Sequence, residues 1–180
     1  MTQDAVAERE LGPQMDRQTY FNLLSDTDRF NVQAITGTFK QILEEEGRRV
    51  VLKAVGGQLS KPHPRKDLDF NVCLLPEASD QKNGDPPYNQ YEKALVNFRI
   101  LRDIIQRTID RLSGFKIGKI IEPAIEEEYT NPAVLKTGGS ITIVPKEPRE
   151  GTLIEIFREA ENTESVKKGP YVVLINTRKT

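Results

Sequence analysis

The stretch from Val50 to Leu75, VVLKAVGGQLSKPHPRKDLDFNVCLL, constrains this chain more than any other. An apolar run (Val50, Val51, Leu52, Ala54, Val55) stops at the pair Gly56-Gly57. After a polar, proline-bearing segment comes Asp67-Leu68-Asp69-Phe70, which leads into a second apolar run ending at Leu75. This reads as strand, loop, strand. Alternate side chains of a strand share a face, so Asp67 and Asp69 point the same way and Leu68 and Phe70 the other. Two carboxylates side by side on a mostly apolar strand repel each other, and a divalent cation between them is the simplest compensation.

The remaining composition sets the frame for that unit. At 180 residues the chain is expected to form one domain with a real core. Its 37% hydrophobic and 29% charged residues are those of an ordinary globular protein. A formal net charge of −1 gives no global support to nucleic-acid or membrane-surface binding. One cysteine, Cys73, excludes an intrachain disulfide and any multi-cysteine metal site; its apolar neighbours make it a small core residue. No apolar run approaches the roughly 18 residues of a membrane span. Residues 1–18 are acidic and polar without an apolar signal region, so a cytoplasmic location is expected.

Along the chain, residues 1–18 read as a flexible arm broken by Gly12-Pro13, and residues 19–180 as a single domain. Tyr20, Phe21, Leu23 and Leu24 fit a helical turn. Val32, Ile35, Phe39, Ile42 and Leu43 recur at helical spacing over 28–46, with Asp26 or Thr27 as the cap and Gly47 as the stop. Tyr91, Leu95, Phe98, Leu101, Ile105, Ile109 and Leu112 predict a second, long amphipathic helix ended by Ser113-Gly114. Strands are expected at 115–121, 141–144, 153–157 and 171–175, the middle two as a hairpin with a long loop. The fold class is α+β, a mixed β-sheet covered on one face by helices. Glu44-Glu45-Glu46 fans out around its helix and reads as a solvated face, and Glu126-Glu127-Glu128 as a solvated loop. His63, between two prolines, reads as structural, and Lys167-Lys168-Gly169 as a turn.

With Val55-Gly56-Gly57 followed by Asp67-Leu68-Asp69-Phe70, the chain resembles the nucleotidyltransferase superfamily that includes polymerase-beta-like and aminoglycoside-adenylating enzymes. That family's signature is an apolar residue with Gly-Gly or Gly-Ser, about ten residues, then an acid–apolar–acid–apolar tetrad. A third carboxylate is expected on a later apolar strand. Glu155, in Leu153-Ile154-Glu155-Ile156-Phe157, matches it. The resemblance spans roughly residues 28–160 and implies a nucleotidyltransferase-like domain. It also implies magnesium-dependent transfer of a nucleoside monophosphate from an NTP to an acceptor hydroxyl on a small molecule, a protein or RNA.

In that reading Asp67, Asp69 and Glu155 are catalytic and hold two Mg²⁺ ions. Glu155 either ligates one ion or takes the acceptor's proton. Gly56 and Gly57 let backbone N–H groups approach phosphate oxygens. Ser60, Lys61, Arg65 and Lys66 bring a hydroxyl and positive charge to the triphosphate. Where small family members carry Arg or Lys shortly after the glycine pair, this chain has Gln58-Leu59. The sequence also shows no C-terminal helical domain of the kind that often completes the family's pocket, so a homo-oligomer or partner protein completing it is expected. The alternative is a nucleotidyltransferase-like binding or regulatory module without catalysis, or a toxin–antitoxin component that modifies a partner.

Overall fold

The computed structural model describes residues 13–59, 67–77, 80, 90–125, 135–146, 151–159 and 169–177. The chain order is α1 (Arg17–Leu23), α2 (Asp26–Glu46), β1 (Val50–Val55), β2 (Asp67–Leu74), α3 (Gln90–Leu112), β3 (Phe115–Ile121), β4 (Ala124–Ile125), β5 (Leu135–Thr137), β6 (Ser140–Pro145), β7 (Leu153–Arg158) and β8 (Val172–Asn176). A short 3-10 turn, Gly56–Leu59, follows β1. Six strands form one mixed sheet in the order β3-β6-β7-β2-β1-β8. Its neighbours are antiparallel except β2 and β7, the parallel pair at the centre. The α+β class with a mixed sheet is thus what the structure shows.

Helix α2 begins two residues earlier than the apolar spacing predicts. Ser25, not Asp26 or Thr27, is the cap: its extended backbone lets Oγ accept from Asp28 N at 3.1 Å. Gly47 closes the helix in the left-handed region at φ 65°, as expected. Helix α3 ends at Leu112, followed by Ser113 at φ 52°. β4 and β5 form a two-stranded ribbon that the expected strands do not include.

Period-two burial gives the sheet one buried face, carrying Leu52, Ala54, Leu68, Phe70, Val72, Ile154, Ile156, Ile141 and Ile143. Helix α2 lies over it, where Val32 and Ile35 meet Leu52, Phe70, Ile154 and Ile156 around a small apolar gap. Buried α3 residues such as Phe98, Leu101 and Ile105 join the same core. The two helices are tied together at their polar ends. Arg111 of α3 makes paired hydrogen bonds to Glu45 (3.0 and 2.7 Å), and Arg107 bonds Glu46. Glu45 and Glu46, within the run read as a solvated face, thus form inter-helix ion pairs.

Two buried polar contacts fix how α2 and α3 sit on the sheet. Asp28 accepts from Thr152 N (2.8 Å) and Thr152 Oγ1 (2.7 Å), clasping the start of α2 to the chain entering β7. Asn97 of α3 donates to Leu74 O (2.8 Å) and accepts from Arg158 Nε (2.7 Å), spanning β2 and the end of β7. Residues 13–16, part of the segment read as an arm, are docked: Met15 N donates to Tyr171 O at 2.8 Å, and Gln14 bridges Tyr171. Residues 1–12 lie outside the described residues.

Candidate metal centre

On the sheet's second face, β2 presents Asp67, Asp69, Asn71 and Cys73, alternating with the buried Leu68, Phe70, Val72 and Leu74. Its parallel neighbour β7 presents Glu155 and Phe157 in the same way. The register places Asp69 opposite Glu155 and Asp67 opposite Leu153. One carboxylate oxygen each from Asp67, Asp69 and Glu155 lies within 4.8 Å of the other two. Asp67 is exposed, while Asp69 and Glu155 are half-buried. The three acids predicted as ligands therefore share one site.

Like charges at about 4 Å repel by about 1 kcal/mol in bulk water and about 4 kcal/mol at the dielectric of a protein surface. A hard divalent cation among them adds an attraction to each carboxylate that outweighs their mutual repulsion, and carboxylate oxygens are the donors that magnesium or manganese prefers. The donor chemistry fits such an ion.

The glycine pair sits directly beside these acids. The β1–β2 ladder ends at the pair Val55–Asp69, so the turn that follows Val55 folds over Asp69. Gly56 has φ 83°, where any other residue is strained, and a Cβ there would stand 3.2 Å from Asp69 Oδ2. A side chain at this position would crowd the carboxylate.

Gln58 is buried and its carboxamide faces inward. It donates to Val55 O (3.0 Å) and to Asp69 O, and accepts from Tyr20 Oη at 2.7 Å. The position thus contributes a backbone clamp and not a phosphate-facing cation. Ser60, Lys61, His63, Arg65 and Lys66 lie outside the described residues, as do Glu126–Glu128 and Lys167-Lys168.

The sequence reading missed a polar extension of this face. Asn71, one step along β2 from Asp69, donates to Glu159 Oε1 at 2.6 Å. Burial pushes the Glu159 carboxyl above its ordinary range, with the Lys53 charge and the Asn71 hydrogen bond pulling it back. Lys53 pairs with Asn71 across the β1–β2 ladder, and its ammonium stands 5.3 Å from the Tyr171 ring centroid, a cation–π contact. Two signals pointed there: Lys53 is the lone charge in an apolar strand, and Glu159 follows Glu155 at even spacing.

Comparison with protein-family models, curated proteins and solved structures returns no match. No helix among the described residues is long and apolar enough to cross a membrane.

Proposed function

We propose that this chain is a magnesium-dependent nucleotidyltransferase that moves a nucleoside monophosphate from an NTP to an acceptor hydroxyl. The convergence of Asp67, Asp69 and Glu155 beside a glycine turn carries the reading, together with the two-part motif they complete. Asp67, Asp69 and Glu155 would hold Mg²⁺. When bound, the metal supplies neutralisation of the triphosphate charge and acidification of a coordinated hydroxyl.

The chain's own groups do the rest. The turn at Gly56-Gly57 has no side chain of its own, and its backbone N–H groups would meet the phosphate beside Asp69. Ser60, Lys61, Arg65 and Lys66 supply the hydroxyl donor and positive charge. Glu155 would act as a ligand or as the group receiving the acceptor's proton. The acceptor oxygen bonds to the α-phosphorus, the α–β phosphoanhydride bond breaks, and pyrophosphate leaves. The acceptor belongs to one of three classes, small molecule, protein or RNA, with a second copy or partner protein completing its pocket.

The test is transfer by the purified chain, with Mg²⁺ and labelled NTPs, onto a panel of acceptors. Asp69→Asn is expected to abolish transfer while leaving the circular dichroism spectrum unchanged. Absence of both transfer and calorimetric NTP binding overturns the reading.

The inward-facing Gln58 favours one alternative, a nucleotidyltransferase-like binding or regulatory module without catalysis, such as a toxin–antitoxin component. Metal titration separates the two: an enzyme's joint binding of Mn²⁺ and NTP requires Asp67 and Asp69, and a scaffold's partner binding does not.

A further inference from the structure

We propose that Gln58 and Tyr20 are positioning residues for the metal centre, fixing Asp69 through its own main chain. This rests on the metal-binding reading above and goes beyond it, because neither side chain belongs to the donor set. Both are buried, at 2% and 0% exposure, so their polar atoms depend on each other and on the backbone.

The orientation of the Gln58 amide follows from its partners. Val55 O and Asp69 O are both acceptors, so the NH₂ end must face them, and the amide oxygen must face the Tyr20 hydroxyl. A flipped amide would set its oxygen against two carbonyl oxygens and lose both of those hydrogen bonds. The amide thus joins three separate pieces: the end of β1, the metal strand β2, and helix α1. Val55 and Asp69 are the last pair of the β1–β2 ladder, so Gln58 takes over on the side where that pairing stops, while β7 pairs Asp69 on the other.

The same turn acts on Asp69 twice. Gln58 holds its carbonyl, and Gly56 leaves room for its carboxylate. The far end of the chain of contacts is also secured. Helix α1 is capped by Asp16, which accepts from Thr19 N at 3.0 Å, and it donates from Arg17 Nε to Val173 O at 3.2 Å. Partners just outside a ligand set typically change metal affinity by about 10- to 100-fold when removed.

The experiment measures Mn²⁺ binding alone, by electron paramagnetic resonance and calorimetry, on the full chain. Gln58→Met keeps length and volume but has no amide, and is expected to weaken Mn²⁺ binding about tenfold. Tyr20→Phe removes only the hydroxyl and is expected to give a smaller loss of the same sign. Both are expected to alter the spectrum of bound Mn²⁺, since a displaced Asp69 carboxylate changes the ligand field. Ile109→Val, a core change in α3 outside the metal strands and the turn, is expected to lower the melting temperature and leave affinity and spectrum unchanged.

If Gln58→Met does not fold, Tyr20→Phe decides the matter. Unchanged affinity and spectrum in the folded variants, with binding lost in Asp69→Asn, overturns the positioning role and leaves the metal centre standing. No Mn²⁺ binding by the unsubstituted chain overturns both.

Discussion

Glu159 is a half-buried carboxyl beside an amide and an ammonium, and its titration has a definite sign. Burial raises its folded pKa above the unfolded value of about 4.3. Between those two values the folded chain keeps a proton that the unfolded chain releases, so stability falls as pH rises through that window. Above it the loss is complete, and below the unfolded value it vanishes. Glu159→Gln keeps an oxygen for the Asn71 amide but carries no charge. Its urea midpoint is expected to rise above that of the unsubstituted chain at pH 7 and to converge with it below about pH 4. A constant difference at every pH would show that packing, not ionisation, sets this residue's contribution.

At the scale of elements, the question is what keeps β7 in register with β2. The Asp28–Thr152 clasp lies just before β7 and anchors it to the first turn of α2. Asp28→Ala leaves the Thr152 N–H and hydroxyl without their acceptor and is expected to cost about 1–3 kcal/mol, read from denaturant midpoints at constant slope. Asp28→Asn keeps one acceptor oxygen and is expected to lose less.

Much of this scale was legible in sequence. The helical spacing of Val32 through Leu43 and of Phe98 through Ile109 locates α2 and α3, because amphipathic periodicity is a local property. Period two likewise places Asp67 and Asp69 on one face. What brings Glu155 to them is a parallel pairing between distant strands, which no local pattern encodes; the motif supplied that expectation. Ser25 was missed as the cap because serine, threonine and aspartate all suit the role, and only the backbone angle selects among them. The Gln58 clamp was illegible for a different reason: its partner Tyr20 lies 38 residues away. The β4–β5 ribbon is too short for any period to emerge.

For the whole molecule, a cation held by the acidic site would link its concentration to folding. A ligand bound only by the folded state at 100 times its Kd stabilises by about 2.7 kcal/mol. For a chain of this size that corresponds to a rise of roughly 5 to 10 °C in melting temperature. Mn²⁺ or Mg²⁺ is expected to produce such a rise in the unsubstituted chain and none in Asp69→Asn. With a chelator present the order is expected to narrow or reverse, because the substitution relieves repulsion among three acids. A scan of both chains with and without metal checks both statements.

The central strands also set a timetable for biosynthesis. While the polypeptide is still leaving the ribosome, the two aspartates emerge long before the glutamate that completes their cage, because β2's parallel neighbour is encoded near the other end. A nascent chain that has not yet released β7 therefore carries two of the three acids and an unpaired central edge. An ion that needs all three would be captured only once β7 has joined the sheet.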